Sequence, residues 1–146
     1  MVYEGEQRGF RDLVAWQKAD QLASLAYRAC KNLPSHHEWL LSQVVRCAIS
    51  VPANIAEGRG RGSKDDYARF LDIARGSLAE LEYYIHFMKN EALLPESQLL
   101  ALEASQRETS RILFGLWRAT KAVGKRDWDH SGRISDEFET YGAVEQ

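Results

Sequence analysis

Apolar side chains recur at steps of three and four along most of this chain, and polar clusters break that rhythm only three times. Such a period puts one stripe of each segment on the core side of a helix. The first segment runs from about Asp12 to Lys31, with Leu13, Trp16, Ala19, Ala23, Ala26, Tyr27 and Cys30 as its stripe. Asn32-Leu33-Pro34 ends it, because the residue before a proline avoids the helical region. The second opens at Ser35-His36-His37-Glu38, which has the form of a capping box, Ser35 at N-cap and Glu38 at N3. Its stripe is Trp39, Leu41, Val44, Val45, Ala48, Ile49, Pro52, Ile55 and Ala56. The stripe stays in phase through Pro52, which predicts one helix bent at the proline. A proline there removes the bond to the Ala48 carbonyl and costs about 3 kcal/mol in a helix interior.

Gly58, Gly60 and Gly62 stop that helix, and Ser63 starts the next as N-cap, with Asp65 and Asp66 favourable in its first turn. The third segment repeats most regularly. Tyr67, Phe70, Ala74, Ser77, Leu81, Tyr84 and Met88 step by three and four, flanked by Leu71, Leu78 and Ile85. After the turn at Ala92-Leu93-Leu94-Pro95, the fourth segment runs from about Glu96 to Val123 on Leu99, Leu102, Ile112, Leu113, Leu116, Trp117 and Thr120. Its middle, Ala104 to Ser110, is polar, and Gly124 is its stop. No stretch alternates as a strand would. Four such segments with short loops predict an all-α, up-down-up-down four-helix bundle over residues 12–123. An N-terminal arm, 1–11, precedes it. The tail, 124–146, has no sustained period and is expected to be mobile, or docked on a neighbour through Trp128, Ile134, Phe138 and Tyr141.

Composition adds little to that fold but narrows the function. Apolar residues are 45% and charged residues 27%, as in an ordinary globular domain. No apolar run reaches the length of a membrane span, and MVYEGEQRGF has neither part of a secretory signal, so a cytoplasmic protein with no membrane partner is expected. The net charge of −2 is uneven: residues 124–146 carry three basic and six acidic side chains, and the rest of the chain nets +1. A dedicated, strongly basic nucleic-acid binder is not what that balance suggests. Cys30 and Cys47, on either side of the Pro34 turn, would lie roughly 13 Å apart along an antiparallel helix pair, too far for a disulfide. Two buried thiols are expected.

Motifs for catalysis are missing. There is no GxSxG, no HExxH, and only one Glu/His pair at helical spacing, Glu82 and His86, where a di-iron bundle needs two Glu-x-x-His copies. No enzyme activity, cofactor, metal or small-molecule substrate is expected. Gly58-Arg59-Gly60-Arg61-Gly62 fits neither dinucleotide nor P-loop spacing and follows no strand, so it reads as a helix stop. Arg59, Arg61 and Lys64 nevertheless gather between a helix end and a helix start, and with Arg46 they form a candidate nucleic-acid contact. A second constellation is structural. Ser50, Asn54 and Glu57 make one polar ridge, and Gly76-Ser77 puts small residues in the middle of the third helix. Small residues permit a close crossing, where Asn54 and Glu57 are expected to bond to groups such as Arg75 or free backbone.

Three stretches, FRDLVAWQKAD (10–20), SQVVRCAISVPANIAEGRGR (42–61) and YARFLDIARGSLAELEYYI (67–85), resemble the four-helix bundle family encoded by 23S rRNA intervening sequences. The resemblance implies a left-handed bundle that assembles as a homopentamer and has no established enzymatic activity. A related branch, the accessory proteins of diversity-generating retroelements, binds reverse transcriptase and nucleic acid through a strongly basic surface. This chain has no such overall charge. Self-association also follows from the residues themselves. Trp39-Leu40-Leu41 and Tyr83-Tyr84-Ile85 put bulky groups around most of a helix, more than one core stripe can use, and a symmetric partner is the usual cover. The expectation is therefore a homo-oligomeric interaction scaffold, with RNA or an RNA-associated protein as its partner. The alternative is a nucleic-acid-binding accessory protein that uses the corner between the second and third helices.

Overall fold

The computed structural model describes residues 9–124. Four helices form: α1 (Val14–Cys30), α2 (Glu38–Arg59), α3 (Lys64–Asn90) and α4 (Glu96–Ala122), with short 3₁₀ turns over Phe10–Asp12 and Ser35–His37. Each helix packs on its two sequence neighbours around a ring, α4 closing on α1, and none packs on the one diagonally opposite. This is the expected four-helix bundle, and among the described residues it contains no strand. The expected tail lies outside the described residues apart from Gly124, as do Trp128, Ile134, Phe138 and Tyr141. Of the arm, only residues 9–11 are described.

The core is a single cluster in which Leu22, Leu40, Val44, Ile55, Leu71, Leu78, Leu81, Met88, Leu102 and Leu113 are fully buried. α1 contributes mainly alanines, Ala15, Ala19, Ala23 and Ala26, which let it sit close to α2 and α4. α2 continues through Pro52, itself buried, as its unbroken period requires. Its start differs from expectation. Ser35 makes no capping bond, because residues 35–37 form a 3₁₀ turn in which the His37 N–H donates to the Pro34 carbonyl at 2.8 Å. The i→i+3 bond meets the need that the capping box would have met. At α3 the expected cap is present: the Asp66 N–H donates to Ser63 Oγ at 3.1 Å.

The polar middle of α4 is helical, and two of its residues, Gln106 and Thr109, face inward. Gln106 Nε2 donates to the Leu78 carbonyl at 3.2 Å, and Thr109 Oγ1 donates to its own helix at Ser105 (2.8 Å) and to the Lys18 carbonyl on α1 (3.3 Å). These polar residues occupy core positions because each is hydrogen-bonded there. The α3–α4 turn is a Schellman motif: Leu93 N–H to the Met88 carbonyl at 3.0 Å and Ala92 N–H to Lys89 at 3.2 Å. Ala92 takes the left-handed position, φ 50°, that glycine usually fills, at a cost of about 1 kcal/mol.

Candidate functional site

Antiparallel packing of α2 on α3 brings together most of the residues singled out in the sequence. Gln43, Arg46 and Ser50 lie level with Tyr84, Glu80 and Ser77: Tyr84 Oη reaches Gln43 Oε1 at 3.5 Å, Arg46 reaches Glu80 at 3.9 Å, and the Ser50 and Ser77 hydroxyls bond at 2.8 Å. Asn54 Nδ2 donates to both the carbonyl (2.7 Å) and the hydroxyl (2.9 Å) of Ser50. The polar crossing is therefore Asn54-Ser50-Ser77.

Glu57 and Arg75 are not part of it. Glu57 is exposed and pairs with Arg61 one turn on, at 2.9 Å. Arg75 points the other way, toward α4, bonded to Asp72 at 3.3 Å and lying 4.1 Å from the Trp117 ring centroid. The reason is angular: on a helix whose core face is set by Leu71, Leu78 and Leu81, position 75 lies on the α4 side and position 77 on the α2 side. Gly76 is also not the close approach. A Cβ there would meet nothing within 4 Å. The tight point is Gly58, where a Cβ would stand 2.7 Å from Phe70 Cβ and 3.1 Å from Tyr67 Cδ2. Its apolar ridge with Val51 and Ile55 was the available signal.

We expect Asn54→Ala to lower stability by about 1 kcal/mol, because it leaves the Ser50 hydroxyl without one of its two partners in a half-buried crossing. Glu57→Ala should stay within about 0.5 kcal/mol, as befits an exposed i,i+4 pair. Thermal melts of the two variants check this, and equal losses would refute the assignment.

The four basic residues do not form one patch. Arg59 is buried, 8% exposed, at the last turn of α2. Arg46 lies thirteen residues back along α2, roughly 20 Å away, beside Gln43 and Glu80. Arg61 and Lys64 remain at the corner. The Arg61 guanidinium lies 5.0 Å from the Phe70 ring centroid, and Arg69 covers the same ring at 4.6 Å. Lys64 Nζ donates to the Lys121 carbonyl at 3.2 Å and so ties the start of α3 to the end of α4. Each of these two cations thus already has a structural contact.

The cysteines are free and buried, Cys30 against Met88 and Cys47 donating to the Val44 carbonyl at 3.3 Å. Burial pushes the Cys30 thiol up to about 11 and the Cys47 thiol up to about 12, the latter also raised by Glu80. Tyr84 is raised as well, first by desolvation and then by its 2.9 Å hydrogen bond to Glu80. Both thiols should resist a thiol-exchange reagent in native protein at mildly alkaline pH and react on unfolding, because only the thiolate attacks. All three groups keep their protons longer when folded. The contribution of these groups to stability should therefore be fully present below 9.0, the ordinary thiol value, and be lost as pH rises beyond it. Rapid native labelling would contradict the burial.

Among the described residues seven large apolar side chains are exposed, and four lie on the outer face of the α2–α3 pair: Trp39, Ile49, Ile73 and Tyr83, at 56, 52, 42 and 60%. In the register above, Ala53 of α2 stands within about a turn of Ile73 and Gly76 of α3, and Ile49 lies one turn further along. Among the described residues no group of His, Cys, Asp and Glu side chains could hold a metal ion, and no helix is long and apolar enough to cross a membrane. The family model described as 23S rRNA-intervening sequence protein matches residues 11–115, which cover α1 to α3 and most of α4. None of the curated proteins compared matches the chain.

Proposed function

The chain belongs to the 23S rRNA-intervening sequence protein family, and from that premise we propose that it acts as a non-enzymatic, cytoplasmic, homopentameric scaffold whose subunits join through the outer α2–α3 face. The observation that supports this reading is the apolar face itself. Trp39, Ile49, Ile73 and Tyr83 are each about half exposed, on adjacent helices. Around them Ala53 and Gly76 add no bulk, so another helix can approach closely. An exposed mid-helix glycine costs about 1 kcal/mol relative to alanine. Contact with a second copy is what offsets that cost. The number five comes from the family resemblance.

Light scattering on the full chain tests the reading. A pentamer weighs about 83 kDa, five times the 16.6 kDa of the chain. A mass of 16.6 kDa at micromolar concentration would overturn it. The scaffold role places RNA or an RNA-associated protein on a surface left open by assembly. The α2–α3 corner is a weaker candidate for that surface, since Arg59 is buried and Arg46 stands apart.

A further inference from the structure

A groove of about 670 Å³ opens between α3 and α4, away from the Ile73–Gly76–Tyr83 side of α3. It is lined by four fixed cations, Arg75, Lys89, Arg107 and Arg111, against two carboxylates, Glu82 and Glu103. Lys89 takes one of those carboxylates, Glu103, at 3.2 Å. Arg107 has no ion-pair partner among the described residues. A cationic excess in a chain of net charge −2 is a local feature, not a reflection of composition.

The geometry points to this groove as a binding site for single-stranded nucleic acid, its phosphates on the arginines and a base at Phe114. Three observations select that ligand. The first is shape: from Arg75 to Lys89 the groove follows fourteen residues of α3, roughly 21 Å, which suits a linear polyanion better than a compact ion. The second is preorganisation. The Arg75 guanidinium is held by Asp72 at 3.3 Å and lies against the Trp117 ring, so part of the entropy of fixing a long side chain is already lost before a phosphate arrives. Arg107 and Arg111 follow one turn apart on α4, so they meet successive groups of an extended strand.

The third is the aromatic. Phe114 is 41% exposed at the groove, with Arg75 and Arg118 guanidinia 5.3 and 5.9 Å from its centroid and Trp117 stacked on it at 5.8 Å. Interleaved cations and an accessible ring serve a strand of phosphates and bases. An acidic peptide backbone would use the charges and leave the ring without a planar partner.

The test uses full-length protein and the fluorescence anisotropy of short labelled oligouridylate and oligothymidylate at low salt. Both should bind, with affinity falling steeply as salt rises. Arg107→Gln/Arg111→Gln should weaken binding about tenfold or more and flatten the salt dependence. Phe114→Ala, which changes no charge, should weaken it about fivefold or more. Arg28→Gln/Lys31→Gln, an equal charge change at the end of α1, should leave it within about twofold of wild type. Absence of binding, an equal effect of the α1 control, or equal displacement by oligoglutamate of the same length would each overturn the assignment. The light-scattering mass of the groove variants is expected to match wild type, so failure of this site and failure of the assembly reading give different results.

Discussion

Gly58→Val is expected to lower the melting temperature by about 5–10 °C, corresponding to a loss of about 2–3 kcal/mol. The obstacle to any side chain at position 58 is Phe70 Cβ, 2.7 Å from where a Cβ would sit, with the Tyr67 ring at 3.1 Å. A flexible chain end could swing aside, but Phe70 Cβ is fixed to the α3 backbone. Tyr67, 1% exposed, is enclosed by the core. Relief therefore requires α2 and α3 to move apart at their shared corner, against the close packing of Ile55, Leu71 and Ala74. Gly58→Ala meets the same atom and should lose most of the helix-propensity gain that replacing glycine normally brings. The comparison that isolates the cause is Gly60→Ala, two residues on. Its Cβ would make ordinary contacts with the Glu57 and Ala56 carbonyls at 3.5 and 3.8 Å, and its stability should stay within about 0.5 kcal/mol of wild type. If Gly58→Val melts with wild type, the close approach is not a determinant of the fold.

That contrast bears on what a sequence can reveal. Four helices, their order and most of their ends, the start of α2 excepted, were legible, because period, proline and serine-aspartate signals act within one turn of chain. Pro52 shows the strength of period: the stripe ran through it, and so does α2. Rotation about the helix axis was less legible. On α2 the apolar residues are dense enough to allow two stripes about 100° apart, and the buried side chains include Leu40, Val44, Cys47, Ala48, Val51, Pro52 and Ile55, leaving Trp39 and Ile49 outside. The same angular ambiguity put Arg75 on the wrong side of α3. Gly58, Gly60 and Gly62 look alike in a string, and only the partner helix distinguishes the one that must lack a side chain. The two inward polar residues of α4 were opaque for a related reason: Gln106 is tolerated in the core by a carbonyl twenty-eight residues away. The α3–α4 groove was invisible, since its cations come from two helices and neither carries a motif.

If the proposed assembly forms through the α2–α3 face, Ile49→Asp/Ile73→Asp should convert it to a 16.6 kDa species while leaving the helical content intact. Each isoleucine is about half exposed in the protomer, so an aspartate there meets water, and the protomer should lose about 1 kcal/mol or less. Across an apolar interface the same carboxylates are buried without partners, which costs several kcal/mol per site. A symmetric ring multiplies that cost, because every interface carries the substitution. The nearby cations are already engaged, Arg46 by Gln43 and Glu80 and Arg69, one turn before Ile73, by Asp66 at 3.8 Å, so they offer the new charges little compensation. Tyr27→Asp is the control. Tyr27 is as exposed as Ile49, at 51%, but it stands on α1, outside the proposed face, and its substitution should leave the mass unchanged. Loss of assembly in both variants would mean that general surface apolarity drives it. Loss in neither would place the interface elsewhere. Loss in the isoleucine pair alone assigns assembly to the surface that period left unburied on α2, which is also the simplest reason for an exposed face to keep a tryptophan, two isoleucines and a tyrosine beside an exposed glycine.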